Sequence, residues 1–83
     1  MQITYRDAIV AAQREALEND DHVLLMGEDI GAAGGPFKTT DGLFDQFGGA
    51  RVRDTPISEE AFVGAAMGLA VTGYRPIVEM MFA

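Results

Sequence analysis

The stretch Val23-Leu24-Leu25-Met26-Gly27-Glu28-Asp29 joins a short apolar run to a glycine and two acids. Its apolar residues do not alternate with polar ones, which is typical of a strand buried on both faces of a parallel sheet. Ligands of open parallel sheets bind beyond the carboxyl ends of the strands. The stretch therefore predicts a buried strand that places Glu28 and Asp29 at a candidate site.

The segments on either side of this strand predict further helices and strands. Thr4 can cap a helix with apolar residues at helical spacing, and Ser58 can cap a second long helix that ends before Gly73. The expected apolar face of the first helix comprises Tyr5, Ala8, Ile9, Ala12, Ala16 and Leu17. The predicted elements are helices over 4–19 and 59–72, strands over 51–55 and 75–82, and a long surface loop over 30–50 with one short amphipathic helix. This order predicts an α/β fold, a parallel sheet with flanking helices.

The second long helix carries Gly64 and Gly68, one turn apart on one face. Each glycine costs about 1 kcal/mol relative to alanine in a helix interior. Two of them predict the close approach of another backbone, within the domain or across a subunit interface. The alternative is that both are simply tolerated.

Composition excludes several classes of protein. The 83 residues carry a net charge of −7, so the surface should repel nucleic acid and anionic membranes. No apolar run approaches the ~20 residues that span a bilayer, and the first residues do not read as a signal peptide. With no cysteine in the chain, we expect a soluble, cytoplasmic protein without disulfides. Because the chain stops directly after the third predicted strand, we expect residues 1–83 to be a truncated domain.

Acidic residues are the main candidates for chemistry. Glu59 begins the second long helix, where the helix dipole favours its charged form, although most first-turn acids are structural. Glu28 and Asp29 fit either a site or a solvated loop. Glu79 interrupts an apolar strand and needs either a partner or protonation of its carboxyl; Arg75 is one candidate partner, and a residue outside these 83 is the other. The chain has one histidine and no cysteine, and we expect no metal site.

Four segments of the sequence, taken in order, resemble one known family. They are 26–29 (MGED), 34–43 (GGPFKTTDGL), 54–59 (DTPISE) and 73–82 (GYRPIVEMMF). Together they resemble the N-terminal part of the beta subunits of pyruvate, branched-chain 2-oxo acid and acetoin dehydrogenases. The resemblance covers essentially the whole chain, which would be about a quarter of such a subunit.

The resemblance implies a fold, a cofactor and partners. The fold is a transketolase-type pyrimidine-binding domain, of which residues 1–83 would be the N-terminal portion. The cofactor is thiamine diphosphate, shared with an alpha subunit that holds the diphosphate through Mg²⁺. The assembly is an alpha2-beta2 heterotetramer that decarboxylates a small 2-oxo acid, or acts on acetoin, and passes the acyl group to a lipoyl acyltransferase core.

The resemblance also implies roles for individual residues. Glu59 matches the glutamate that hydrogen-bonds the pyrimidine ring of the cofactor and so activates it. Ile57 and Met81 match positions that line the pyrimidine pocket. Glu28 matches an acid near the site and the subunit interface. No residue of this chain matches a metal ligand.

Two other functions remain open. The chain can be a non-catalytic acidic interaction module, or an inactive fragment, whose glycine-containing helix docks a partner. It can also belong to a transketolase-like or deoxyxylulose-phosphate-synthase-like enzyme, although its segments fit those families less well. We expect the isolated 83-residue chain to be inactive, and its sequence does not choose among pyruvate, branched-chain 2-oxo acids and acetoin.

Overall fold

Residues 4–31, 33–35 and 38–80 are described by a computed structural model. Helices and strands follow one another in the predicted order. They are α1 (Tyr5–Asn19), β1 (Val23–Gly27), α2 (Leu43–Phe47), β2 (Val52–Asp54), α3 (Glu59–Val71) and β3 (Arg75–Glu79). The second strand is shorter than predicted, and the third ends at Glu79; residues 81–82 of the predicted third strand lie outside the described residues.

The three strands form a parallel sheet in the order β2-β1-β3. β1 lies in the centre, where Leu25 is opposite Val52 on one side and Ile77 on the other. Every residue of β1 is buried. The predicted buried strand, the parallel sheet and the α/β class are confirmed.

Alternate side chains of β1 enter two separate cores, because successive residues of a strand point to opposite faces. On one face, α1 and α2 cover the sheet, and the core there comprises Leu17, Val23, Leu25, Ile30, Leu43 and Val52. On the other face α3 covers the sheet, and the core comprises Leu24, Met26, Phe62 and Ala66. An apolar run without alternation is what these two cores require.

α1 begins at the predicted residue, but fewer of its apolar side chains are buried than predicted. The Thr4 hydroxyl accepts a hydrogen bond from the Asp7 backbone N–H at 3.0 Å, which caps the helix. The predicted apolar face is wrong for the first turns, because Tyr5 is 92% and Ile9 46% exposed. Leu17, near the other end, is fully buried.

The segment between β1 and α2 is packed rather than a simple surface loop. Ile30 and Thr40 are buried, and the Thr40 hydroxyl donates to the Ile30 carbonyl at 2.9 Å. The Gly35 N–H donates to the Asp29 carbonyl at 2.8 Å. Gly34 and Gly35 have φ values of +79° and +91°, which let the segment fold back on itself.

α3 leaves much of its surface uncovered. Phe62 and Ala66 are its buried residues, whereas Met67 is 66% and Val71 87% exposed. No atom of the described chain lies within 4 Å of a Cβ built on Gly64 or Gly68. The close approach that these glycines predict is therefore not found within this part of the chain, and an approach from another subunit stays a prediction.

Membrane insertion through a helix has no support in residues 4–31, 33–35 and 38–80. None of the helices there is both long and apolar enough to cross a bilayer.

Candidate active site at the carboxyl edge of the sheet

Three acids meet at one edge of the sheet because all three strands run in the same direction. Glu28 follows β1, Asp54 ends β2 and Glu79 ends β3. In the strand register, Gly27 is opposite both Asp54 and Glu79. A side chain at position 27 would meet Glu79, whose Cβ lies 3.0 Å from a Cβ built on Gly27. The glycine therefore permits the strands to bring these acids together.

Asp54 and Glu79 face α1 and α2, and they hold the segment that follows β1. The Gly31 N–H donates to Asp54 Oδ1 at 2.7 Å. The Thr39 hydroxyl lies 2.8 and 2.9 Å from the two carboxylate oxygens of Glu79. Both acids are thus used as structural anchors.

The predicted partner of Glu79 was wrong. Arg75 lies at the opposite end of β3, where its guanidinium pairs with Asp20. Strand geometry explains the error, since four residues of a strand span about 13 Å. Thr39, far away in sequence, supplies the partner instead.

Glu28 points to the other face of the sheet, toward the start of α3. Its side chain is 5% exposed, and Glu59 in the first turn of α3 is half-buried. The neighbouring Glu59 carboxyl raises the pKa of Glu28, and burial and the nearby charge of Asp29 act in the same direction. The sequence allowed Glu28 to be either a site residue or a solvated loop residue. Its burial excludes the solvated loop residue.

The pKa of Glu59 moves the opposite way. A hydrogen bond from Glu28 lowers it, and the backbone N–H of Glu59 itself lowers it further, against a smaller effect of burial. The helix dipole also favours the charged form at this position. A proton taken up by this pair would therefore reside on Glu28 rather than on Glu59.

A direct hydrogen bond between the two carboxyls would require one of them to be protonated. Two ionised carboxylates can only accept, so neither could bond the other. Glu28 Oε1 is buried and has no hydrogen-bond partner in the described chain. A protonated Glu28 can use its other oxygen toward Glu59, and Oε1 is left as an open acceptor. Such a pair, with its pKa values pushed apart, can donate a proton at one carboxyl and accept one at the other.

The remaining predicted site residues are not drawn together by the described chain. Ile57 lies in the turn between β2 and α3 and is 84% exposed. Met81 lies outside the described residues. Within 4–31, 33–35 and 38–80, no group of three histidines and acids is placed to hold a metal ion.

Thr55 falls at the end of the second predicted strand, but nothing in the sequence singled it out as a site residue. The hydroxyl of Thr55 is buried and has no hydrogen-bond partner in the described chain. Thr55 follows β2 and lines a cleft of about 260 Å³ together with Pro56 and Phe62. Together with the register of β1 and β2, strand alternation assigns Thr55 to the same face of the sheet as Glu28.

Comparison with known proteins identifies the family. Residues 1–83 match the family described as transketolase, pyrimidine binding domain. The chain belongs to this family. The fold described above, a three-stranded parallel sheet with flanking helices, is thus part of a transketolase-type pyrimidine-binding domain.

Individual members of the family are similar over nearly the whole chain. The 2-oxoisovalerate dehydrogenase subunit beta of Bacillus subtilis (strain 168) is 51% identical over 81 residues, which cover 98% of this chain and 25% of the relative. The pyruvate dehydrogenase E1 component subunit beta of Leifsonia xyli subsp. xyli is 52% identical over 75 residues, which cover 90% and 22%. The same subunit of Staphylococcus aureus (strain Mu50 / ATCC 700699) is 49% identical over 81 residues, which cover 98% and 25%. The resemblance to 2-oxo acid dehydrogenase beta subunits is confirmed, and the chain spans about a quarter of the length of these relatives.

Proposed function

We propose that this pyrimidine-binding domain forms the N-terminal part of the beta subunit of a thiamine-diphosphate-dependent 2-oxo acid or acetoin dehydrogenase. In this proposal Glu59 activates the aminopyrimidine of the cofactor for oxidative decarboxylation, with acyl transfer to lipoyl groups of an acyltransferase core. The proposal includes a cytoplasmic location. Similarity to pyruvate and 2-oxoisovalerate dehydrogenase beta subunits supports it, as does the arrangement of carboxyls at the sheet edge.

The carboxyl pair is the observation that carries the proposal. Glu59 is half-buried at the start of α3, and the pair keeps it ionised by lowering its pKa. A carboxylate in this state can accept a hydrogen bond from a protonated ring nitrogen, or take up the proton of that nitrogen. Glu28, with its raised pKa, is the stronger base of the two and would compete for a proton exchanged at this site.

The described residues fit one part of the cofactor. Glu59 offers a carboxylate to the aminopyrimidine, and the exposed Ile57 offers an apolar surface in the same turn. Met81 is a further pocket residue of the proposal. No described group of residues suits the Mg²⁺ of the diphosphate, so the proposal assigns that ion to an alpha subunit. When bound, thiamine diphosphate would supply the carbanion chemistry.

Glu59→Gln in the complete, assembled subunit tests the proposal. Glutamine keeps the shape of the side chain but can neither ionise nor exchange the proton, so we expect turnover to fall by about two orders of magnitude or more. Glu60→Gln is the matched control, because Glu60 lies beside Glu59 in the first turn of α3 and is exposed. Near-normal turnover of Glu59→Gln would contradict the role given to Glu59.

We also propose that the uncovered surface of α3 contacts a partner subunit, in an alpha2-beta2 assembly. A helix that is apolar on all sides is normally buried, yet Gly64 and Gly68 face open space here. Gly64→Leu should preserve the helix and weaken association with the partner, as measured by sedimentation. Ala11→Leu, at an exposed position of α1, is the control. Equal association of both variants would contradict this contact.

A further inference from the structure

Two buried polar atoms at the carboxyl edge of β1 and β2 have no hydrogen-bond partner in the described chain. They are Glu28 Oε1 and Thr55 Oγ1. A buried polar group that lacks a hydrogen bond is costly, so native proteins nearly always satisfy such groups with protein or ordered water. Thr55 can donate through its O–H, and Glu28 Oε1 can accept.

The register of the sheet places these two side chains on the same face. Gly27 of β1 is opposite Asp54 of β2. The Thr55 N–H donates to the Gly27 carbonyl at 2.9 Å, which continues the ladder one residue past β2. Continued by one residue, this register sets Thr55 opposite Glu28. Because neighbouring residues alternate in direction, both side chains lie on the face of Met26, beneath the start of α3.

The register brings the two residues to the same side of the sheet edge, yet the two atoms do not form a direct hydrogen bond. Proteins hold buried water molecules between polar groups that would otherwise lack a hydrogen bond. Each such water needs at least two polar partners, and a buried donor and a buried acceptor can provide them. We propose that Thr55 is a positioning residue of this site, whose hydroxyl donates to one buried water that in turn donates to Glu28 Oε1. This fixes the Glu28 carboxyl with its other oxygen toward Glu59. The inference rests on the proposed function, because it assigns Thr55 a role in the same site.

The other charged groups near Glu28 cannot take this role. Glu59 and Asp29 are acids, and both raise the pKa of Glu28. Arg53 lies on the same face of β2, but its Nε–H donates to the Ala50 carbonyl at 3.0 Å, and none of its nitrogens is bonded to Glu28 Oε1. Two further carboxylates project from the opposite face and are bonded to the segment after β1: Asp54 and Glu79. Thr55 is left as the neutral donor opposite Glu28.

A donor that reaches Oε1 opposes the effect of the neighbouring acids. Hydrogen bonds to a carboxylate favour its charged form, so the water held by Thr55 limits the rise in the pKa of Glu28. Without that water, the pKa of Glu28 would rise further. Thr55→Val keeps the shape and removes the hydroxyl, whereas Thr55→Ser keeps the hydroxyl.

Calorimetry on the complete, cofactor-free assembly gives a readout other than activity. Titration with thiamine diphosphate in buffers of different ionisation enthalpy measures the protons exchanged on binding at each pH. We expect the midpoint of that pH profile to shift upward in Thr55→Val and to match the wild-type value in Thr55→Ser. An unchanged midpoint in Thr55→Val would overturn the inference. If thiamine diphosphate does not bind the wild-type assembly, the proposed function fails instead.

A crystal structure of the cofactor-free wild-type assembly tests the water directly and does not depend on the variants. We expect one water within about 2.5–3.0 Å of both Thr55 Oγ1 and Glu28 Oε1. A dry gap, or a Thr55 hydroxyl bonded to any other group, would overturn the inference. The same structure remains decisive if Thr55→Val does not fold.

Discussion

Replacing Gly31 by alanine should destabilise the segment that carries the site acids. A Cβ at this position would lie 2.6 Å from Asp54 Oδ2, closer than real contacts allow. Asp54 can yield by rotating, but the rotation breaks the 2.7 Å bond that it accepts from the Gly31 N–H. Because Gly31 is buried, that N–H would be left without an acceptor, at a cost of about 1–3 kcal/mol.

A double-mutant cycle separates this mechanism from a general loss of packing. Asp54→Ala removes the acceptor by itself, so it should also cost about 1–3 kcal/mol. Once Asp54 is absent, the new methyl of Gly31→Ala meets no carboxylate and breaks no bond. The two variants combined should therefore be little worse than the poorer single variant, a coupling of about 1 kcal/mol or more.

Thermal unfolding followed by far-ultraviolet circular dichroism measures these differences. For a domain of this size, each 1 kcal/mol shifts Tm by about 4–8 °C. Gly64→Ala is the matched control, since it adds the same methyl where nothing lies within 4 Å, and it should stabilise the helix by about 1 kcal/mol. A Gly31→Ala protein as stable as the wild type, or strictly additive losses in the cycle, would refute the clamp between Asp54 and Gly31.

Two further variants test other contacts. Thr40→Val keeps the shape of a buried side chain but removes the donor to the Ile30 carbonyl, so urea unfolding should show a loss of about 1–2 kcal/mol, and an unchanged midpoint would contradict it. Asp20→Asn tests pH dependence. The His22 backbone N–H, followed by Arg75, lowers the pKa of Asp20, so its contribution is present above the unfolded-state pKa and is lost as pH falls through the folded-state pKa. The stability difference between wild type and Asp20→Asn should therefore shrink in acid, and a difference that stays constant down to that range would count against the interaction.

Local sequence was sufficient for the elements that depend on near neighbours. Thr4 predicted the start of α1, and the unbroken apolar run of β1 predicted burial on both faces. Those signals are short-range. A cap acts over three residues, and the apolar composition of a strand by itself indicates whether both of its faces are buried. The sequence also placed Glu28 and Glu59 at a candidate site, through strand ends and the start of a helix.

Long-range contacts were beyond the sequence. The bond between Thr39 and Glu79 joins positions 40 residues apart, and the pattern around Glu79 pointed to Arg75 instead. Tyr5 and Ile9 have helical spacing, yet they are exposed, because spacing defines a face of a helix without specifying what covers it.

The pair formed by Glu28 and Glu59 shows most clearly the difference between what local sequence predicts and what long-range contacts decide. The chain itself supplies two carboxyls at the ends of two elements, and the resemblance of its segments to a family assigns one of them a role. That Glu28 is buried, with its pKa raised by Glu59, follows from the parallel register of β1 and β2 and from the position of α3 above them. Register and packing are set by the sum of many distant contacts, so the opposite pKa shifts of Glu28 and Glu59 arise only in the folded chain.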